Sequence, residues 1–527
     1  MDRRRFLRSG ASLAATALAE SSSRAEHPES PEWADDLVAA AGSAIRVVRI
    51  DPAPRFDFSP LFYMQFMEPL GTTDASVEAA WDYWRDDWRE DFVTATRMLA
   101  PDVIRYGGLL SRYYKWREGI GPPDRRPWMR NYVWGGKETN RVGTHEFVEL
   151  CRRVGAQPMY CVNFLSDGES AYARAPEGNR SGNADEAAEW VSYCNDPDHP
   201  LRRANGAPEP LNVRLWQIGN ETSYGGDTFP RDEAIGQTIQ FARAMRARDP
   251  SIQLIGWGDD GWAGELVRRA GQDIDWVAVH MMQQRPLRRD TVLDSLAYQR
   301  QPERAWEELM EILPARVERK LLAVEAQLAA QGAEHPIAVT EGHLSLAPHN
   351  ANPILTEWLT GVYHARVMNL YHRHGARVRM CTGADFNGMR WTTNAVMHEM
   401  PRGRSYLLPV AAVTALFKRH QGRQAVAVSA APAELDIAAS RTGDILYLHV
   451  ANTDYMRSLE VELQVKGMTL RAGRVLEMAP DDMRASATAV TPEPFVPQEH
   501  ALAAGDARWR VPPRSVSVVV VEMHEVR

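Results

Sequence analysis

From about residue 59 the chain alternates short apolar runs with longer stretches whose apolar residues fall at helical spacing. Apolar runs bounded by turn residues read as buried strands, and strands alternating with helical patterns indicate a parallel sheet with crossover helices. Eight such runs occur: Leu61 to Glu68, Val103 to Tyr106, Pro158 to Asn163, Val213 to Glu221, Gln253 to Gly256, Trp276 to His280, Ile337 to Glu341 and Val378 to Asp385. Between them Thr144 to Val154, Asp232 to Arg248 and Ala315 to Gln331 carry the helical period. The count predicts an α/β protein whose residues 59–420 form a (β/α)8 TIM barrel. Several runs end in a polar residue (Glu68, Asn163, Glu221, His280, Glu341, Asp385). In a barrel such ends converge on one face, where the chemistry sits.

After a helical pattern over Tyr406 to His420 the period changes. Leu435 to Ala439, Ile445 to Ala451, Leu459 to Val465 and Ser515 to Val521 alternate or are β-branched, with turn residues between them. This predicts an accessory all-β sandwich over 421–527. Ala44 to Asp51 also alternates and has no barrel slot, so 43–58 is expected to add a strand to that sandwich. No repeat of fixed period is visible.

The first 30 residues read as an address label and tether. Arg3-Arg4-Arg5-Phe6-Leu7 precedes a weakly apolar Ala/Gly/Ser run, and Ala17-Leu18-Ala19 has the small-x-small form of a cleavage site. This resembles a twin-arginine signal and implies export to the periplasm or beyond. No later segment approaches the ~18 apolar residues of a membrane span.

Composition narrows the partners. A net charge of -8 with a pI near 6.1 offers no concentrated basic face, so nucleic acid is not expected as a partner. Sixteen tryptophans suit stacking on sugar faces, although most are expected in the core. The four cysteines form no C-x-x-C pair, and Cys161 and Cys381 lie in apolar runs as expected of buried thiols. Homo-oligomers are compatible with this composition.

The strongest chemical signal is Leu215-Trp216-Gln217-Ile218-Gly219-Asn220-Glu221, an apolar run that stops at an amide and a carboxylic acid. Ile337-Ala338-Val339-Thr340-Glu341 likewise ends in a carboxylate. Two glutamates at the ends of parallel barrel strands are what a retaining glycosidase needs, one as acid/base and one as nucleophile. Burial beside a second carboxylate is expected to raise the acid, and an arginine to lower the nucleophile. Glu357 and Glu334 compete with Glu341 for the second role but lie in helix or loop context.

Further along, Arg105-Tyr106-Gly107-Gly108, Trp116-Arg117-Glu118-Gly119-Ile120-Gly121-Pro122, Trp134-Gly135-Gly136, Gly143-Thr144-His145-Glu146-Phe147, Trp190 to Asn195 and Arg203-Ala204-Asn205-Gly206 follow in order. With Trp216 to Glu221 they resemble glycoside hydrolase family 51, chiefly α-L-arabinofuranosidases. The resemblance implies Glu221 as acid/base and Glu341 as nucleophile. It also implies Asn220 at the sugar 2-hydroxyl, Glu68 as a sugar-binding carboxylate, Arg105 beside the nucleophile and His280 in the active site. No metal and no cofactor are implied.

Two departures from that family fall where the sugar is expected. Leu109 stands where it has a polar residue, and Met281-Met282 where it has a tyrosine pair. Replacing hydrogen-bonding groups with Leu and Met changes which sugar is recognised. The expected function is therefore a retaining, exo-acting, arabinofuranosidase-like hydrolase of an oligo- or polysaccharide. The alternatives are the same chemistry on another glycone (another furanoside, a xyloside, a deoxy or uronic sugar) and a non-catalytic carbohydrate-binding protein.

Other patterns carry less. Gly256 to Gly261 matches G-x-G-x-x-G, but its two aspartates would repel a pyrophosphate. His145-Glu146 is followed by Glu149 where a zinc motif needs histidine. His364, His372 and His374 sit among arginines and read as a solvated helix face.

Overall fold

The computed structural model describes residues 45–527, apart from 109, 132, 167–181, 225–228, 260, 284, 295, 349, 402, 504, 506 and 527. The expected signal and tether over 1–30 therefore lie outside the described residues.

Eight parallel strands, each beside its predecessor, make the barrel: Met64–Met67, Val103–Tyr106, Gln157–Val162, Leu215–Ile218, Gln253–Trp257, Trp276–His280, Ile337–Glu341 and Val378–Cys381. A parallel bridge between Tyr63 and Cys381 closes the ring, and Cys381 N–H donates to Phe62 O at 2.8 Å. Met64, Val103, Met159, Leu215, Ile255, Ala278, Ala338 and Met380 fill the inside, while the outer faces pack against helices. Burial on both faces is why these strands read as near-continuous apolar runs rather than alternations. The α/β barrel with an all-β accessory domain is the fold class that the hydrophobic pattern predicts.

Three expected elements are redrawn. The Val378 to Asp385 run is two strands: the last barrel strand stops at Cys381, and Thr382 Oγ1 donates to Ala384 O at 2.8 Å in the turn that follows. Asp385–Gly388 then opens a small sheet with Asn394–His398 and Ser405–Leu407. The helix expected over Ala315 to Gln331 is longer, running through Pro302–Ile312, a wide π turn at Leu313–Glu318, and Arg319–Ala330. Pro314 lacks an N–H and crowds the preceding turn, which the wider π geometry accommodates. Tyr406 belongs to a strand, and the next helix starts at Pro409, where a missing N–H costs nothing.

The C-terminal domain is a nine-stranded hydrogen-bonded sheet around one apolar cluster that takes side chains from Val48 through Met523. Arg46–Asp57 lies inside it, antiparallel to Gln424–Ala430 and parallel to Leu459–Val465. Gln498–Leu502 and Arg508–Val511, which the pattern did not mark, are its two edges. The first is exposed nearly throughout, so it carries no apolar alternation.

Helix Trp358–Arg373 joins the two domains. Its Asn369 Nδ2 donates to Asp436 O at 3.0 Å, and His372 Nδ1 meets His449 Nδ1 at 3.1 Å. His364 and His372 are buried, contrary to the solvated face expected from their arginine neighbours. This helix is covered by the barrel on one side and the sheet on the other, which local charge does not reveal. All four cysteines are buried and free.

Candidate active site

The strand-end residues meet at one mouth of the barrel. Arg105, on the second strand, is fully buried and forks three ways. Its Nη1 donates to Glu341 Oε1 at 3.0 Å, Nη2 to Asn220 Oδ1 at 2.5 Å and Nε to Gln217 Oε1 at 2.8 Å. One planar guanidinium thus ties the fourth strand to the seventh, which a lysine could not do. Glu221 follows Gly219 and Asn220, and its own backbone is left-handed with φ of 55°. The sharp exit from the strand turns its carboxyl toward the seventh strand.

His280 stands between the two glutamates. Its Nδ1 is 3.1 Å from Glu221 Oε1 and 3.5 Å from Glu341 Oε2. The backbone beneath it is pinned: its N–H donates to Asp259 Oδ2 at 3.0 Å, and its carbonyl accepts from Lys320 Nζ at 2.6 Å. Tyr224 OH also donates to Asp259. Arg112 Nη2 approaches Glu221 Oε2 at 3.5 Å.

Glu221 and Glu341 share one buried site, so the charge on one bears on the protonation of the other. For Glu341, burial pushes the carboxyl up, opposed by His280 and Arg105 and reinforced by Glu221. For Glu221, burial also raises the carboxyl. The hydrogen bond and charge of His280, with Arg112 and Arg105 nearby, outweigh that and hold it below its usual range. The order is therefore the reverse of the one expected from a single arginine on the nucleophile. Arg105 spreads its donors over three acceptors, while Glu341 is the more deeply buried carboxylate, its side chain 8% exposed against 17% for Glu221.

Ligand atoms of Glu221, His280 and Glu341 lie within 4.8 Å of one another, a spacing that could also hold a cation. Arg105 and Arg112 already supply positive charge to both carboxylates, which is the role an ion would otherwise fill.

A cleft of about 400 Å³ opens over this network, lined by Glu68, Asn220, Glu221, Met282 and Glu341 together with Trp134, His343, Asp385, Asn387 and Trp391. Glu68 Oε1 accepts from Trp134 Nε1 at 3.1 Å. Gly108, at φ +67°, makes room for that carboxylate: a Cβ there would stand 2.0 Å from Glu68 Oε2. Among the expected site residues, Glu68, Arg105, Asn220, Glu221, His280, Met282 and Glu341 come together. Leu109 lies outside the described residues. Glu357 and Glu334 are elsewhere, the first bonded to Tyr298 OH at 2.9 Å and the second paired with Arg377 at 3.2 Å. A larger hollow of about 650 Å³, between helix Glu90–Leu99 and residues 492–497, has none of these residues in its lining.

Sequence reasoning missed part of the wall. His343 Nδ1 lies 2.7 Å from Asp385 Oδ1 inside the cleft. Burial opposes a charged imidazole, but Asp385, Glu341 and Glu221 together hold His343 above its ordinary range. The pairing joins the loop after the seventh barrel strand to the small sheet beyond the eighth, so nothing local marks it. Gln217 was legible: it sits two residues beyond Leu215, on the same inward face.

Family models place this geometry. The model described as the α-L-arabinofuranosidase 1 domain matches residues 95–301, and the α-L-arabinofuranosidase C-terminal domain matches 342–515. The chain belongs to glycoside hydrolase family 51. A probable α-L-arabinofuranosidase C of Aspergillus flavus is 37% identical over 183 residues, 33% of this chain and 33% of that one. The intracellular exo-α-(1→5)-L-arabinofuranosidase of Acetivibrio thermocellus is 29% identical over 213 residues, 37% of this chain and 39% of that protein. The matched part thus spans about a third of the length of these curated relatives. The solved α-L-arabinofuranosidase of Thermotoga maritima, in its arabinose complex, superposes with a TM-score of 0.70 at 25% identity, over 90% of this chain and all of that one.

Beside the nucleophile candidate the backbone is crowded: a Cβ on Gly342 would lie 2.6 Å from the Thr382 carbonyl oxygen, so no larger residue fits directly after Glu341. His343 occupies the adjoining wall.

Proposed function

We propose that this chain is a retaining, exo-acting, α-L-arabinofuranosidase-like glycoside hydrolase, with Glu221 as acid/base and Glu341 as nucleophile. The observation that carries the reading is the pair itself. The two carboxyl groups end strands four and seven, flank one imidazole and have oxygens within 4.8 Å of each other. Retaining pairs stand about 5–5.5 Å apart, while an inverting pair needs about 6.5–9.5 Å to admit a water.

In the first step Glu221 protonates the glycosidic oxygen as Glu341 attacks the anomeric carbon. The C–O bond to the aglycone breaks and a glycosyl ester forms on Glu341. Glu221, now ionised, takes a proton from water, which attacks the same carbon and frees Glu341. The proton must therefore sit on Glu221 when substrate is bound. A sugar over the cleft strips water chiefly from the more exposed Glu221, which raises that carboxyl relative to Glu341. Asn220, its oxygen held by Arg105, presents its amide N–H toward the sugar, and Glu68 accepts from sugar hydroxyls.

The glycone is where this chain diverges. Met282 offers no hydrogen bond, and an unpaired hydroxyl buried against it costs about 1–3 kcal/mol. Glu68, Glu221, Glu341 and Asp385 all line the cleft, so a uronic sugar would meet carboxyl groups on several sides. A neutral glycone with an apolar or missing group near Met282 suits the site better than either arabinofuranose or a uronate. Export through the twin-arginine-like Arg3-Arg4 remains part of this proposal.

The test is hydrolysis of a panel of neutral 4-nitrophenyl furanosides and pyranosides by the full chain. Cleavage of at least one is expected, with kcat/KM on the α-L-arabinofuranoside below the ~10⁴ M⁻¹s⁻¹ of efficient enzymes. No cleavage of any member overturns the glycosidase reading. Efficient arabinofuranoside cleavage overturns the shifted glycone alone.

A further inference from the structure

Large aromatic side chains are strongly exposed at only three described positions, Tyr83 (45%), Trp84 (74%) and Trp128 (65%), and all three lie on two neighbouring hairpins. Tyr83 and Trp84 form the turn between Trp81–Asp82 and Asp87–Trp88. Trp128 leads into the hairpin Met129–Arg130 with Lys137–Glu138. The hairpins are stitched together: Tyr83 OH meets Thr139 Oγ1 at 3.2 Å, and Arg141 Nη1 pairs with Asp86 at 2.9 Å.

Both hairpins grow from the edge of the cleft. Trp134, in the turn of the second, lines the cleft and donates to Glu68, and Ser76, on the segment leading into the first, lines it too. Inside, Trp134 meets Trp391 edge to face at 5.3 Å. Aromatic side chains thus stand both on the cleft wall and on the outside of the hairpins that border it. An isolated exposed apolar residue is ordinary, but clustering beside one cleft of the strongly exposed aromatic rings among the described residues marks a binding surface.

We infer that Tyr83, Trp84 and Trp128 hold a polysaccharide chain by stacking on its sugar rings outside the cleft, so that a polymer bound there feeds its end to Glu221 and Glu341. Flat rings with a polar edge match the apolar faces and hydroxyl rims of neutral sugars. Lys137 Nζ sits 5.9 Å from the Trp128 ring, where it can donate to a sugar hydroxyl. This inference rests on the glycosidase reading of the cleft, and its test is separate.

Binding is read by affinity electrophoresis of the catalytically silent Glu341→Gln chain through gels containing soluble arabinoxylan, linear arabinan or xyloglucan. At least one polymer should retard it. Adding Trp84→Ala with Trp128→Ala should weaken apparent binding about three- to tenfold per tryptophan removed, whereas Trp84→Phe with Trp128→Phe should largely keep it. In the active chain the same alanine pair should lower kcat/KM on the retarding polymer and leave it within about twofold on an aryl glycoside too small to reach the hairpins. Equal loss on polymer and aryl glycoside overturns the inference. So does retardation by none of the three polymers, retardation that ignores the alanine pair, or a dimer in sedimentation that the alanine pair abolishes. Failure of every aryl glycoside overturns the cleft reading instead, whatever the gels show.

Discussion

Arg105, Gln217, Asn220, Glu221, His280 and Glu341 stand at the ends of barrel strands and bond to one another, whereas Trp134, Met282, His343, Asp385, Asn387 and Trp391 come from the connections beyond the barrel. The first set is over-determined. Each carboxylate has a cation within 3.5 Å, and His280 is fixed by bonds to its own backbone N–H and carbonyl. The second set is held by loop contacts, such as Asn387 Nδ2 to Ser76 O at 2.8 Å and Asp74 Oδ1 accepting from the N–H groups of Met389 and Arg390 at 2.8 Å each. Chemistry that must place a nucleophile to within a fraction of an ångström belongs on rigid strands, and selectivity can vary on the wall without disturbing it.

That contrast breaks most sharply at the floor. Glu341→Ala should cost on the order of 10⁴-fold or more in kcat on every substrate cleaved, because no glycosyl ester can form. Single-turnover assays across leaving groups check this, and a mutant that keeps activity on any of them would remove Glu341 from the nucleophile's role.

Glu221→Ala should lose about 10²–10⁴-fold on leaving groups that need a proton and far less on activated phenolates. Added azide, entering the space of the missing carboxyl, should speed its turnover. Uniform loss without azide rescue would contradict the division of labour between the two glutamates.

On the wall the effects should be smaller and selective. Met282→Tyr should raise kcat/KM for the arabinofuranoside about 5- to 150-fold by restoring a hydroxyl partner, with little change for the preferred glycone. Asp385→Asn should release His343 toward its ordinary range and move a limb of the kcat/KM–pH profile rather than its height. Floor-sized losses in either variant would erase the distinction between the two sets.

The smallest effect concerns the joint between the domains, where burial holds His372 well below its ordinary range and His449 down to about 3. Both are neutral in the folded chain, and an unfolded histidine takes up a proton near pH 6.5. Their contribution is complete above about pH 6.5 and is lost as pH falls toward about 3, since the unfolded chain then binds more protons. Burial raises Asp74 to about 6 and Glu138 to about 7, and these work the other way, stabilising at low pH and losing that as pH rises through those values. Urea midpoints of the full chain and of His449→Gln at pH 7 and pH 5 isolate the histidine share. The wild type should lose more on acidification, by up to about 1.4 kcal/mol per pH unit, and equal losses would refute the assignment.

Strand positions were legible because a doubly buried strand has only one way to look in sequence, an uninterrupted apolar run, and Val103–Tyr106, Trp276–His280 and Ile337–Glu341 were found to the residue. The edge strand Gln498–Leu502 was not, because an exposed edge satisfies itself with water and needs no apolar code. Glu221 and Glu341 stood out as carboxylates closing apolar runs, a costly place for a charge without a purpose. What local order could not decide was who meets whom. The fork of Arg105 across three acceptors, the imidazole shared by two carboxyls, the inverted order of the two glutamates and the His343–Asp385 pair all join residues far apart in the chain. Periodicity reports burial of single positions, while the Coulomb and desolvation balance of a site depends on distances that exist only once the barrel has closed.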